Sequence, residues 1–278
     1  MSKEPPRNSN GWWFSAGQPP APPATTSIGI EQPTILAVFD GHGGGECSRF
    51  LTQEFPALFE GASSRDDPLS SALLAVDERF ACSPANHGRV GSTATVLSID
   101  SQFLRCASAG DSRAILIRKG TVVDLSSDHS PDLRPDEISR IEIAGGMLSR
   151  GGVLTQALFY LATRERPCLR VYHRSTGEGG LNMTRAIGDS YLKPLVIATP
   201  ELTCIPRHRD DAFVVLASDG LWDVLTSQET AALIGVLQSH GDDADLVSQA
   251  AWALVVAAQK RGSTDNISVM VARMAPTL

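Results

Sequence analysis

The sequence predicts an α+β protein with a four-layer αββα architecture, two packed antiparallel sheets flanked by helices. Three observations predict it. Strand-like runs cluster instead of alternating one for one with helices, which argues against a parallel doubly wound sheet. Two runs, Leu36-Ala37-Val38-Phe39 and Ala212-Phe213-Val214-Val215-Leu216-Ala217, are continuously apolar, the pattern of strands covered on both faces. Helical patterns bracket the strand cluster, where they can cover the outer faces of two stacked sheets.

The elements follow in order. Residues 1–33 differ from the rest: Pro19-Pro20-Ala21-Pro22-Pro23 is a polyproline-like spacer, and Trp12-Trp13-Phe14 reads as an aromatic anchor packing onto the domain. The globular domain is expected over 34–278. A first strand at 34–39 runs into a turn in which Gly41, Gly43, Gly44 and Gly45 strip away side chains. Cys47, Phe50, Leu51, Phe55 and Leu58 then recur at helical spacing, with Pro56 expected to distort the last turn. Pro68 opens a second helix whose apolar face is Leu69, Ala72, Leu73, Val76 and Phe80. Beyond Gly91 the period changes to that of strands: runs at 92–99, 102–109 and 112–118, separated by Asp100-Ser101 and Gly110-Asp111, predict an antiparallel meander. A short helix is expected over 135–145. Residues 147–180 read as an excursion over the site, with Leu154 to Ala162 compatible with helix or strand. The strand at 212–217, helices at about 227–238 and 243–260, and a last strand at 267–272 complete the domain.

Composition narrows the function. The chain has 278 residues, 42% hydrophobic, with a net charge of −7, so neither a nucleic-acid nor a membrane-surface partner is expected. No apolar run is long enough to span a bilayer, and the polar, proline-rich start does not read as a signal peptide. The five cysteines are scattered without a CxxC pair, which points to reduced thiols in a cytoplasmic or nuclear protein, expected to be a monomer.

Chemistry concentrates in aspartates at strand ends. Asp40, Asp111, Asp219 and Asp265 each follow or adjoin an apolar strand-like run in a polar or glycine-containing turn. Singly, each would be an ordinary turn residue. Four carboxylates delivered to one end of a sheet pair would repel unless a cation shared them, and hard ions such as Mg²⁺ or Mn²⁺ take oxygen ligands. Asp223 lies one helical turn beyond Asp219. Two such ions, roughly 3.5–4 Å apart, can activate a water and clamp a phosphate, and the neighbouring His42 can protonate a leaving alkoxide.

These stretches resemble the protein phosphatase 2C family of metal-dependent serine/threonine phosphatases. The matching segments, in family order, are Val38-Phe39-Asp40-Gly41-His42-Gly43-Gly44, Gly91-Ser92-Thr93-Ala94, Ala109-Gly110-Asp111-Ser112-Arg113, Asp128-His129-Ser130-Pro131, Ala144-Gly145-Gly146, Thr184-Arg185-Ala186-Ile187-Gly188-Asp189, Leu216-Ala217-Ser218-Asp219-Gly220-Leu221-Trp222-Asp223-Val224 and Asp265-Asn266-Ile267-Ser268-Val269. The resemblance implies hydrolysis of phosphoserine and phosphothreonine in protein substrates at a binuclear Mg²⁺/Mn²⁺ centre. It implies Asp40 bridging both ions, the Gly41 carbonyl on one, and Asp219 and Asp265 on the other. In many members Asp111, Asp219 and Asp223 match the ligands of a weaker third ion, and His42 matches a proposed general acid. It also places 147–180 at a variable flap. Arg185 adjoins that flap, where a structural contact and a phosphate contact are both open.

One departure stands out. Family members carry an Arg and an acid on an early strand some twenty-odd positions before the Asp-Gly-His; here no Asp precedes Asp40, and the earlier candidates are Arg7, Glu4 and Glu31. The first strand of the fold therefore reads as replaced or missing. The alternative function is a pseudophosphatase, a phosphoprotein-binding regulator with an incomplete metal site. If the enzyme reading holds, one ion is under-ligated and activity should need unusually high Mn²⁺. A metal titration against a version carrying a family-like strand grafted before Thr34 checks this; saturation of the native chain at ordinary levels would show that Glu4 or Glu31 completes the site.

Overall fold

The computed structural model describes residues 33–62, 66–151, 167–239 and 245–275. The N-terminal proline-rich stretch, its aromatic cluster and Leu154 to Ala162 lie outside these residues. In chain order the strands are β1 (Thr34–Val38), β2 (Gly41–His42), β3 (Gly91–Ser92), β4 (Ala94–Ile99), β5 (Phe103–Ala109), β6 (Arg113–Arg118), β7 (Thr121–Asp124), β8 (Gly146–Ser149), β9 (Arg170–His173), β10 (Gly179–Leu181), β11 (Ile187–Gly188), β12 (Glu201–Pro206), β13 (Asp211–Ala217) and β14 (Val269–Arg273). The helices are α1 (Glu46–Gly61), α2 (Pro68–Ala81), α3 (Pro135–Ile143), α4 (Asp219–Trp222), α5 (Ser227–Ser239) and α6 (Leu246–Lys260).

Two four-stranded antiparallel sheets form the centre, ordered β1-β4-β5-β12 and β14-β13-β6-β7. Alternation along single strands explains the layering. On β13, Val214 and Leu216 face the first sheet beside Leu116, Leu97 and Leu104, while Phe213, Val215 and Ala217 face α5 and α6. On β6, Ala114 and Leu116 point inward, and Ile115 and Ile117 point to the helices. Both faces of these strands are buried, so their sequences read as unbroken apolar runs. Helices α1 and α2 cover the first sheet through Leu51, Phe55, Leu73, Val76 and Phe80, packed on Val96 and Ala107. The expected αββα sandwich is therefore the observed one.

The Asp67 side chain caps α2 by accepting from the Ser70 amide at 3.1 Å, with Pro68 in the first turn where its missing N–H costs nothing. Helix α1 continues past Pro56 to Gly61. Thr93 breaks the expected run at 92–99 into β3 and β4. Strands β7 and β12 were not expected: β7 has four residues, and β12 is a sheet edge whose side chains alternate between half-buried and exposed. The excursion is more ordered than a loop. Its described parts form a three-stranded sheet, β10-β9-β8, that packs on α3 through Ile141, Val171 and Leu181.

Strand β1 occupies an edge of the first sheet and pairs with β4 alone among the described residues. Its Ile35, Leu36 and Ala37 are only partly buried, as are Val269, Met270, Val271 and Ala272 of edge strand β14. The expectation of a replaced or missing leading strand falls on residues 1–32, which lie outside the described residues.

Leu116 is fully buried between the sheets. Leu116→Ala should lower the unfolding free energy by about 2–5 kcal/mol, whereas Leu133→Ser, at a position 63% exposed, should change it by no more than about 0.5 kcal/mol; chemical denaturation checks both.

Candidate active site

The site is assembled at one end of the sandwich from turns that adjoin different strands. Asp40 leaves β1 and is clamped to the neighbouring chain: its amide donates to Thr93 Oγ1 at 3.0 Å, and the Thr93 amide donates to the Asp40 carbonyl at 2.8 Å. Thr93 Oγ1 also lies 2.8 Å from Ser112 Oγ, which adjoins Asp111. Asp219 opens α4 directly after β13, and the Asp223 amide donates to the Asp219 carbonyl at 2.8 Å, so one helical turn separates the two carboxylates. Ser218 ties this turn to the loop bearing Asp265: its amide donates to the Ser268 carbonyl at 3.0 Å, and its hydroxyl to the Asn266 carbonyl at 3.1 Å. A side chain at Gly220 would overlap the Asn266 carbonyl, so glycine is what lets α4 approach that loop.

A cavity of about 230 Å³ is lined by Asp40, Gly41, His42, Asp111, Asp219 and Asp265. Thr93, Asn182, Met183 and Asn266 complete its wall, Asn182 and Met183 arriving just after β10. Asp223 does not line the cavity, but its charge reaches the group through Asp219. A larger groove, about 290 Å³, lies between α5 and α6 and is mostly apolar, with Leu225, Leu233 and Val236 beside the Glu229–Arg261 pair; no cluster of acids converges there.

The carboxylates crowd one another. Burial first, then the charges of Asp219 and Asp128, pushes Asp111 up to about 8. Burial and the Asp219, Asp128 and Asp265 charges push Asp223 up to about 6, against the pull of Arg113. The pKa values of Asp40 and Asp219 are both raised, with burial the main cause in each and the neighbouring carboxylates contributing. Asp219 Oδ1 is buried without a hydrogen-bond partner, and among the described residues none of these five aspartates is ion-paired to Arg or Lys. Among the described residues, no set of three or more His, Cys, Asp or Glu side chains is drawn close enough to hold an ion unaided. The donor chemistry nevertheless fits a hard divalent cation: oxygen atoms only, an orphaned carboxylate oxygen and unrelieved negative charge.

His42 also borders the cavity, and its Nε2 lies 2.6 Å from Asp189 Oδ2. Burial lowers its pKa, but the hydrogen bond to Asp189 and the charges of Asp189, Asp111 and Asp40 outweigh burial and raise it overall. Asp189 closes the Thr184–Asp189 segment, and nothing local in the sequence signals its contact across 147 positions. The open question of Arg185 is answered by geometry. Its guanidinium donates to Glu137 Oε1 at 2.7 Å and to the Thr199 carbonyl at 3.0 Å, and Arg140 holds Glu137 from the other side at 2.8 Å. Arg185 is thus a packing contact to α3. Arg113 pairs with Asp128 through two hydrogen bonds, 2.9 and 2.6 Å, and lies over the Trp222 ring.

The protein thus has two antiparallel sheets between helices and an acidic, oxygen-lined cavity. The profile of the family described as Protein phosphatase 2C matches residues 25–267, and the chain belongs to that family. The chain is 33% identical over 278 residues to Probable protein phosphatase 2C 68 of Oryza sativa subsp. japonica, covering 90% of this chain and 70% of that protein. It is 34% identical over 272 residues to Protein phosphatase 2C 77 of Arabidopsis thaliana, covering 85% and 59%. Among solved structures, a C. elegans sex determining protein aligns at a TM-score of 0.73 and 30% identity, covering 88% of this chain and 57% of that one. A serine-threonine phosphatase 2C from Toxoplasma gondii aligns at 0.63 and 20% identity over 88% and 86%, a likeness of fold alone.

The Glu137 cradle generates a pH prediction. Burial would raise the Glu137 pKa, but its hydrogen bonds to Arg185 and Arg140 outweigh it and lower the value from 4.5 to about 2. A depressed carboxylate stabilises the fold above its unfolded pKa and loses that contribution as pH falls through the folded one. The wild-type protein should therefore lose roughly 3 kcal/mol more than Glu137→Gln between pH 4.5 and 2, read from denaturation curves across that range.

Proposed function

We propose that this chain hydrolyses phosphoserine and phosphothreonine in proteins by an activated water, and that residues 34–278 form the catalytic domain. The observation that supports this best is the convergence of Asp40, Asp111, Asp219 and Asp265, from four separate turns, on a cavity that also carries His42. Asp40 and the Gly41 carbonyl would hold one Mg²⁺ or Mn²⁺ and share Asp40 with a second held by Asp219 and Asp265; Asp111, Asp219 and Asp223 would hold a weaker third. Cations bound there supply Lewis-acid chemistry, neutralising phosphate charge and acidifying water. The chain's own groups orient the phosphate ester in the cavity, with Asn182 and Asn266 as uncharged donors on its wall. His42 donates the proton that the departing serine or threonine oxygen needs.

A second reading, a phosphoprotein-binding pseudophosphatase, is favoured by one observation: no Asp precedes Asp40 in the sequence. All five cysteines are free, which supports a reducing compartment, cytoplasm or nucleus. The net charge of −7 supports protein partners over nucleic acid or membrane, and we take the chain to act as a monomer.

Release of phosphate from a phosphothreonine peptide should require Mn²⁺ or Mg²⁺, stop with chelator, and fall nearly to background in Asp219→Asn. Turnover that survives complete chelation overturns the two-ion reading; peptide binding without turnover under any metal condition selects the pseudophosphatase.

A further inference from the structure

The least expected contact near the cavity is the one behind His42. Strands β2, β3 and β11 form a small separate sheet in which His42 and Gly188 both sit opposite Gly91. This register carries Asp189, the residue after β11, to the back of the imidazole. The Asp189 amide is anchored to the Val90 carbonyl at 3.0 Å. The Gly188 amide is held by Asp77 Oδ1 at 2.7 Å. A Cβ at position 91 would overlap both Asp189 Oδ2 and His42 Nε2, so the contact passes through a hole that only glycine leaves open.

Two further features mark the contact as built. Asp189 is fully buried, yet among the described residues its side chain has one hydrogen-bond partner, His42, and its Oδ1 has none. A buried carboxylate this poorly satisfied is costly unless a cation faces it. Asp189 also takes a left-handed backbone conformation, φ 50°, ψ 44°, which an L-residue adopts at a cost of roughly 1–2 kcal/mol. Asp tolerates that conformation best when its side chain bonds locally, but here the carboxylate crosses to another element instead.

We propose that Asp189 is the positioning residue of His42, fixing its tautomer and ring orientation so that Nδ1 is the nitrogen that delivers the proton to the leaving oxygen. A carboxylate only accepts, so Nε2 must be the donor to Asp189. Nδ1 is then the remaining functional nitrogen; it is buried without a protein partner among the described residues, in a ring that borders the cavity. In the step, a water oxygen that has given up one proton to solvent bonds to phosphorus while the ester P–O bond breaks, its electron pair passing to the serine or threonine oxygen. The Nδ1–H bond breaks, the proton joins that oxygen, and the imidazolium becomes a neutral imidazole whose Nε2–H still faces Asp189. The assignment of this step rests on the phosphatase reading; the tautomer does not.

Two measurements test it on the full chain. The first is long-range ¹H–¹⁵N correlation of the histidine rings in metal-free protein at a pH where the imidazole is neutral. We expect His42 as the Nε2–H tautomer in the wild type and a mixed or inverted population in Asp189→Asn, with overall spectra and denaturation midpoints showing both proteins folded. An Nδ1–H tautomer in the wild type overturns the proposal, and needs no variant to fold. The second is a double-mutant cycle on two substrates. Asp189→Asn should lower kcat for a phosphothreonine peptide roughly 10- to 100-fold, part of what a general acid supplies, with little loss on p-nitrophenyl phosphate, whose leaving group needs no proton. In a His42→Gln background, Asp189→Asn should cost nothing further. Equal losses on both substrates, or additive losses in the double variant, overturn the positioning role. If the wild type turns over neither substrate, the phosphatase reading fails while the tautomer measurement still stands by itself.

Discussion

Repulsion among crowded carboxylates is the constraint on which the rest of this structure depends. Asp40, Asp111, Asp219, Asp223 and Asp265 raise one another's proton affinity or share the same confined space, and among the described residues no basic side chain pairs with them. Like charges at short range push apart, so the scaffold around them has to be stiff. Part of that stiffness comes from β13, which is buried on both faces and leads into Asp219. Phe213, Val215 and Val214, Leu216 anchor the strand that ends at Asp219, and hydroxyl groups of Thr93, Ser112 and Ser218 lock the turns to one another.

Elsewhere the protein handles buried charge differently. Glu137 is embraced by Arg185 and Arg140, Asp128 by Arg113, and Glu201 by Arg134. Each of these acids has an arginine with paired N–H donors, the geometry that best offsets desolvation. Among the described residues the aspartates at the cavity have no such arginine partner. That asymmetry sets the cavity apart from these three acids.

The small sheets serve the site rather than the core. The β2-β3-β11 sheet is only two residues deep, yet it brings the glycine turn, the Gly91 segment and Asp189 into one register around His42. The β10-β9-β8 sheet packs on α3 and releases the chain at Asn182 and Met183, on the cavity wall. Variation in that sheet would therefore bear on the cavity wall through Asn182 and Met183.

By itself, the sequence determined the layers and the acids. Period-2 and period-3.6 patterns reported which faces had to leave water, and apolar runs ending in Asp-Gly placed carboxylates at strand ends, because both are local consequences of backbone geometry. Edge strands β7 and β12 escaped that reading, since four residues or a half-exposed alternation carry too little apolar signal. Contacts between distant segments were decided only by the tertiary structure. Whether Arg185 met a phosphate or Glu137 depended on where α3 packed, and Asp189 became the partner of His42 through a register set by Gly91 between them. No local pattern encodes such pairs: their energies arise from burial and from charges facing one another after the chain has closed on itself, a property of the whole packed arrangement.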